Sequence, residues 1–168
     1  NYLDNGVDHM LALRGDLPFG WTGTGGDFAY ATDLVAYVRK EFGDKIEIAV
    51  AGSPEGHIAC RSLESDIAVL KQKQDNGADY IMTQLCWDME QFKRWLDAIR
   101  TAGVTMPVDV GIMPILDQAA TINMALSRNG CVMPRKLCEI ISKNWIFPNP
   151  FDKDPFDAAV REKKAAFK

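Results

Sequence analysis

The fold is decided by the stretch IEIAVAGSPEGH, residues 46–57. Its first half is a short run of β-branched and small apolar residues that ends at Gly52, which predicts a buried strand. Pro54 and Gly56 then predict a tight turn, because proline presets φ and glycine accepts positive φ. The turn displays Glu55 and His57 just where the strand ends.

Three further runs of the same kind recur about every thirty residues: HMLAL (9–13), YIMTQL (80–85) and PVDVGIMPI (107–115). Apolar residues at helical spacing lie between the runs, and the segments NGAD and TAGV supply glycines that end two of the helices. A repeated strand and helix unit predicts a parallel sheet, hence an α/β fold. Past residue 115 the pattern predicts helices at about 118–128 and 135–143, and a last helix from Asp154 to Phe167.

Four such units make either a small open sheet or half of a (β/α)8 TIM barrel, which needs about 250 residues in full. Polar or turn-forming residues lie at the carboxyl-terminal end of each predicted strand: Arg14 to Asp16; Glu55 and His57; Thr83 and Gln84; Gly111 to Pro114. The carboxyl ends of barrel strands form the catalytic face, so this distribution favours a partial barrel. We treat residues 1–168 as one domain.

Composition excludes several classes of function. The 168 residues carry a net charge of −4 without a long basic run, which argues against nucleic-acid or anionic-membrane binding. The four cysteines lack any C-x-x-C spacing, and we expect reduced thiols in a cytoplasmic protein. We expect no metal site, membrane span or signal peptide. The first residue is Asn1, and we expect a segment of a longer chain.

Several candidate residues have two interpretations each. Arg14, Gly15 and Asp16 either contact a ligand or close a loop through an ion pair. His57 either binds phosphate or ribose, acts as an acid or base, or ligates metal, or else it only caps the local backbone.

Asp66 and Lys73 share one face of the helix that follows. In one interpretation they form a solvated stripe, with Lys71 as a further partner of Asp66. In the other they extend toward the phosphates of a cofactor. The amide of Gln84 either recognises a heterocycle such as a pterin or purine, or bonds the neighbouring strand.

Taken in order, the motifs LALRGDLP, DFAYATDLV, AGSPEGH, DIAVLKQKQDNGADYIMTQL and GIMPI resemble the methylenetetrahydrofolate reductase family. The resemblance implies a (β/α)8 barrel with FAD, which passes a hydride from NAD(P)H or another reduced donor to 5,10-methylenetetrahydrofolate and yields 5-methyltetrahydrofolate. It makes our four strands the fourth to the seventh. The general-acid glutamate, which the family carries on its first strand, has no match here.

Carried over by position, the resemblance assigns Asp16 a catalytic role beside the isoalloxazine and the folate, and Gln84 the binding of the pterin. It implies an FAD-binding set of Leu13, Arg14, Gly15, Asp16, Tyr30, Ala31, Ala51, Ser53, His57, Asp66, Gln72, Lys73 and Met82. Ser53 and Gln72 depart from residues that the family often has there. We expect a homo-oligomer or a partner subunit.

Two alternatives remain open at the level of sequence. One is a non-catalytic or partner-dependent barrel subunit that has lost the full active site. The other is a flavin-free barrel enzyme that uses Glu55 and His57 as acid and base.

Overall fold

The structure is a computed structural model that describes residues 2–15, 20, 26–126 and 130–143. The chain divides into two compact units, Asn1–Met133 and Pro134–Lys168. The described part of the second unit is a single helix, which begins directly after Pro134. The sheet and all residues of the candidate site belong to the first unit.

Four parallel strands form one sheet in the order in which they occur along the chain. They are β1 (His9–Ala12), β2 (Glu47–Gly52), β3 (Tyr80–Thr83) and β4 (Val108–Asp109). The helices are α1 (Ala31–Phe42), α2 (Leu63–Asp75), α3 (Met89–Thr101), α4 (Gln118–Leu126) and α5 (Arg135–Lys143). The predicted α/β class and the repeated strand and helix unit are confirmed.

The helices α1, α2 and α3 pack on one face of the sheet. Crossovers between parallel strands are right-handed, so connections that always step in one direction put every helix on the same side. The shared core confirms this placement, since it joins Val35, Leu70 and Trp95 from the three helices to Val50 and Ile81 from the strands. This arrangement differs from a doubly wound sheet, in which the strand order reverses and helices lie on both faces.

The other face of the sheet carries residues that alternate with the core positions. Among them Leu11 and Met82 remain 41% and 42% exposed. At the amino-terminal end of this face, His9 bridges the carboxylates of Asp8 and Glu47 at 2.6 and 2.7 Å.

Gly52 allows the closest approach between the sheet and α3. A Cβ atom at this position would lie 2.6 Å from Cγ2 of Ile81 and 3.1 Å from the ring of Trp95. Trp95 is the largest fully buried side chain among the described residues, so the absence of a side chain at Gly52 makes room for the main packing element of the core.

Arg39 of α1 holds together the amino-terminal edge of the sheet. Its Nε and Nη2 donate to the carbonyl of Gly77 at 2.9 and 2.8 Å, and its Nη1 donates to the carbonyl of Gly43 at 2.6 Å. Nη2 also lies 2.5 Å from Asp79, whose Oδ2 accepts from the backbone N–H of Ile48 at 2.7 Å. One side chain thereby joins α1, the turn after α2 and the start of β2.

The fourth strand is much shorter than predicted. The apolar run extends over 107–115, but only Val108 and Asp109 pair with β3, and residues 110–117 have no regular structure. Hydropathy marks residues that avoid water, whereas a strand also needs a neighbour for its backbone, and β4 has a strand neighbour on one side only within the described residues.

The helices agree better with the prediction. Those expected at about 118–128 and 135–143 are confirmed as α4, described to Leu126, and α5. The predicted helix from Asp154 to Phe167 lies outside the described residues. Of the helices in the described ranges, none combines the length and apolar character that crossing a bilayer requires.

Candidate functional site

The candidate site lies at the carboxyl-terminal edge of the sheet. Because β1, β2 and β3 are parallel and adjacent, the segments that leave them begin at this same edge. They carry Leu13, Arg14 and Gly15 after β1, the turn 53–57 after β2, and Gln84 after β3. The structure therefore places three of the predicted motifs side by side.

The segment after β1 is open to solvent. Leu13, Arg14 and Gly15 are all exposed, and Asp16, the predicted catalytic residue, lies outside the described residues. Tyr30 and Ala31 stand at the start of α1, the helix that follows this segment. The backbone N–H of Tyr30 donates to Asp33 at 3.0 Å, and the Tyr30 side chain is exposed.

The turn after β2 has the predicted form. The carbonyl of Ser53 accepts from the N–H of Gly56 at 2.9 Å, Pro54 is fully buried, and Gly56 has a φ of +86°. A Cβ on Gly56 would meet no atom within 4 Å, so the glycine serves the backbone conformation rather than a packing contact.

His57 follows as an exposed donor. Its backbone N–H donates to Asp66 at 3.1 Å, and its ring Nδ1 accepts from the N–H of Ala59 at 3.2 Å. A neutral imidazole that accepts at Nδ1 carries its proton at Nε2, which assigns the tautomer. His57 thus has its Nε2–H available as a hydrogen-bond donor.

Lys73 lies beneath this turn rather than in solvent. Its ammonium donates to the carbonyl of Ala51 at 3.2 Å, and burial lowers its pKa, an effect that the nearby charge of Asp66 partly opposes. Asp66 also accepts from the thiol of Cys60 at 3.5 Å. The interpretation of Asp66 and Lys73 as a solvated stripe is therefore wrong, because Lys73 follows Leu70 by three residues and shares its buried side.

The neighbours of Lys73 on α2 point elsewhere. Lys71 pairs with Asp75 one turn later, not with Asp66. Gln72 is exposed on the side of the helix opposite Leu70, so the structure does not bring its side chain to the turn after β2. A cofactor contact by Gln72 stays a prediction.

Met82 and Ala51 are register partners on the open face of the sheet. Gln84 continues the ladder, since its backbone N–H donates to the carbonyl of Gly52 at 2.8 Å. The side-chain oxygen of Gln84 accepts from the N–H of Leu85, also at 2.8 Å. The backbone of Gln84 thus bonds the neighbouring strand, and the role of its side-chain amide stays a prediction.

Two hydrogen bonds that hold the turn were not predicted. The side chain of Gln91, in the first turn of α3, donates to the carbonyl of Pro54 at 2.8 Å. Glu55 accepts from the backbone N–H of Val132 at 2.6 Å. The position of Gln91 shortly after a predicted strand end was a signal that could have marked it as a residue near the site. No local pattern connects Glu55 with Val132, because the two residues are 77 positions apart.

Together these residues suit an aromatic ligand with an anionic group. Leu13 and Met82 offer apolar surface, the imidazole Nε2–H of His57 offers a hydrogen bond, and Lys73 offers a partly desolvated cation. The indole Nε1 of Trp87, in the segment after β3, is buried and has no hydrogen-bond partner among the described residues.

Comparison with known proteins identifies the family. A family model described as methylenetetrahydrofolate reductase matches residues 1–145. Methylenetetrahydrofolate reductase 2 of Saccharomyces cerevisiae is 41% identical over 130 residues, which cover 74% of this chain and 22% of the relative. Methylenetetrahydrofolate reductase (NADH) 1 of Arabidopsis thaliana is 41% identical over 133 residues, 72% of this chain and 22% of the relative.

A bacterial relative gives the same result. The 5,10-methylenetetrahydrofolate reductase of Escherichia coli is 40% identical over 115 residues, 68% of this chain and 37% of the relative. The chain thus spans about a fifth of the yeast and plant relatives and somewhat over a third of the bacterial one. The match over 145 of 168 residues nevertheless settles the relationship. The chain belongs to the methylenetetrahydrofolate reductase family.

Proposed function

We propose that the chain forms the central part of the catalytic barrel of an FAD-dependent methylenetetrahydrofolate reductase. Its four strands would be the fourth to the seventh of a (β/α)8 barrel. The sequential order of the parallel strands supports this placement, because a barrel is a sheet in which every crossover steps the same way. The exposed Leu11 and Met82 would then face the barrel interior.

The observation that carries the proposal is the meeting of the family motifs at the carboxyl-terminal edge. The turn 53–57, Asp66 and Lys73 are joined by the bonds from His57 N–H to Asp66 and from Lys73 to Ala51. Their chemistry fits FAD: a cation and a neutral donor suit the pyrophosphate and ribityl chain, and an apolar flank suits the isoalloxazine. The buried indole N–H of Trp87 is a further donor that lacks a partner in the described chain.

In this assignment, bound FAD would accept a hydride from the donor and pass it to 5,10-methylenetetrahydrofolate. Lys73 and His57 would hold the phosphate and ribityl portions, with Asp66 fixing the backbone of His57. Gln84 would orient the pterin through its amide. Asp16 would lie beside the isoalloxazine and the folate and tune the charge there.

The remaining contact residues would frame the ring. Leu13, Arg14 and Gly15 would line it from β1, Ala51, Ser53 and Met82 from the adjacent strands, and Tyr30 and Ala31 from the start of α1. Gln72 would have to reach the cofactor from the exposed side of α2. The general acid would come from the first strand of the barrel.

The donor that we propose is a reduced nicotinamide, since the plant relative is named for NADH. We also propose a homo-oligomer in the cytoplasm, a compartment that suits four cysteines of which none is in a disulfide. The alternative of a non-catalytic barrel subunit is not favoured, because the similar proteins are named as reductases.

The test is Asp16→Asn in the full-length protein. We expect a yellow protein whose folate half-reaction slows about 100-fold, while reduction of the flavin by NAD(P)H slows far less, because the carboxylate acts on the second transfer. Stopped-flow absorbance of the flavin measures both half-reactions. The exposed Asp97→Asn on α3 is the matched control and should leave both rates unchanged.

Two results would contradict the proposal. A wild-type protein that is folded but colourless after gentle purification would remove FAD from it. Equal slowing of the two half-reactions by Asp16→Asn would remove the specific role of Asp16.

A further inference from the structure

Three side-chain hydrogen bonds connect the turn after β2 with other parts of the chain. Asp66 of α2 accepts from the N–H of His57, and Gln91 of α3 donates to the carbonyl of Pro54. Glu55 makes the third contact, from the turn outward, to the N–H of Val132. The first two contacts come from helices packed on the sheet, whereas the third captures a segment without regular structure.

The segment 130–132 lies directly against the turn. A Cβ on Gly130 would stand 3.8 Å from the carbonyl oxygen of Gly56 and 3.9 Å from Ile58, which is van der Waals distance. At 2.6 Å, the bond between Glu55 Oε2 and Val132 N is short, as expected for a charged acceptor.

The surroundings of Glu55 do not otherwise favour a carboxylate. The groups that face it are the Asp88 carboxylate and the buried thiols of Cys86 and Cys131, and burial is the main cause that raises the pKa of Glu55. Burial also raises the pKa of Cys131, to about 11, so the thiol stays neutral. In the described part of the chain, no cation stands within ion-pair distance of Glu55 to offset this cost.

We propose that Glu55 is a positioning residue, which locks the segment 130–132 onto the turn and thereby holds His57 ready for the cofactor. Glu55 transfers no proton in this role. The identity of the ligand as FAD rests on the proposed function, whereas the coupling of the two segments rests on the contacts alone. A turn that is already ordered loses less conformational freedom when a ligand binds, so the expected effect is on cofactor affinity.

The test compares Glu55→Ala with Glu55→Gln in the full-length protein. Glutamine keeps an acceptor oxygen for the Val132 N–H and removes the charge, whereas alanine removes both. We expect Glu55→Ala to raise the Kd for FAD about 10-fold and to speed amide hydrogen exchange in segments 53–60 and 130–133 of the apoprotein. Glu55→Gln should stay within about twofold of the wild type in both measurements.

A control and a third measurement separate positioning from other roles. Glu41→Ala changes an exposed glutamate of α1 and should alter neither affinity nor exchange. With FAD at saturation, Glu55→Gln should retain the wild-type kcat, because a positioning residue acts through binding. Loss of turnover in Glu55→Gln with normal FAD affinity would show a proton-transfer role and overturn the inference.

The other contrary outcomes are equally clear. Unchanged exchange at 130–133 in Glu55→Ala would show that the contact does not order the segment. Faster exchange with unchanged FAD affinity would show that the coupling does not reach the cofactor site. If the wild-type apoprotein binds no FAD, the proposed function fails, and the exchange data still decide whether Glu55 couples the two segments.

Discussion

At the amino-terminal edge of the sheet, the guanidinium of Arg39 donates to three backbone carbonyls and pairs with Asp79, which in turn accepts from a β2 amide. At the carboxyl-terminal edge, Asp66, Gln91 and Glu55 also bond to backbone, but each holds a loop or turn. The amino-terminal network joins three elements of the fold through one cation. The carboxyl-terminal contacts leave the imidazole of His57 facing outward.

The difference separates stability from function. Side chains at the amino-terminal edge form bonds that hold helices and strands together. Replacing them should lower the stability of the fold and leave ligand binding unchanged. Side chains at the second edge fix the backbone that presents His57, at the cost of burying Lys73 and Glu55, whose pKa values shift toward the neutral forms. Replacing them should change binding more than stability.

The largest effect is expected from Arg39→Ala. The change leaves the carbonyl of Gly77 and the carboxylate of Asp79 without their main donor in a partly buried place, which should cost about 2 to 3 kcal/mol in the free energy of unfolding. Denaturant unfolding of the full-length protein measures it. Lys40→Ala, the exposed neighbour on the same helix, should cost less than about 0.5 kcal/mol.

If Arg39→Ala also weakened FAD binding as strongly as the variants of the other edge do, the proposed separation of the two edges would be wrong. Flavin affinity at a temperature well below unfolding is the measurement that decides this point.

Lys73→Met should give the reverse result. Removing the cation should raise the Kd for FAD about 10-fold, equivalent to about 1.4 kcal/mol, through the loss of a charged hydrogen bond to phosphate. Stability at neutral pH should stay the same or rise, because burial lowers the Lys73 pKa and the folded state therefore disfavours the charged form. Fluorescence titration with FAD and thermal unfolding test the two halves.

Lys71→Met is the matched control, since Lys71 lies on the same helix and pairs with Asp75. It should leave FAD affinity unchanged. Equal loss of affinity in the two variants would indicate a general effect of positive charge rather than a contact by Lys73.

Much of this architecture follows from local pattern. The strands β2 and β3 and the bounds of α5 were predictable, because burial on a sheet or one helix face selects residues at a fixed spacing. The inward position of Lys73 was also accessible, since it lies three residues after Leu70 and seven after Asp66. The sequence nevertheless left two interpretations of Lys73 open, a solvated stripe and a contact to the phosphates of a cofactor.

Other features depend on contacts that local spacing does not encode. The pairing of Glu55 with Val132 joins residues 77 positions apart and needs the assembled sheet. β4 ends early, at Asp109, because a strand needs an adjacent strand for backbone pairing. The apolar content of residues 110–115 does not replace that pairing. Several residues that lie at the carboxyl-terminal edge were therefore predictable from the sequence, whereas the bonds among them were not.

The smallest expected effect is the change in folding stability with pH that the protonation of His9 causes. The hydrogen bond to Asp8 is the main cause that raises the pKa of His9, and Glu47 adds to it. The folded protein then binds this proton more tightly than the unfolded chain. The stabilisation is complete below about pH 6.5 and is lost as the pH rises through the raised pKa.

We expect Glu47→Gln to lower the pKa of His9 and to reduce the loss of thermal stability between about pH 6 and 8. Titration of the His9 ring by NMR checks the first change, and unfolding curves across this range check the second. A wild-type His9 pKa at or below the ordinary value would refute the assignment.

The strand order has a practical consequence for anyone who produces these 168 residues alone. Among the described strands, β1 and β4 each have a strand neighbour on one side only, and the outer side of an edge strand is a place where another strand can pair. The apolar Leu11 and Met82 lie on the uncovered face beside them. A chain with such edges would be prone to self-association through edge pairing, and its aggregation state should be measured before any loss of ligand affinity is attributed to a substitution.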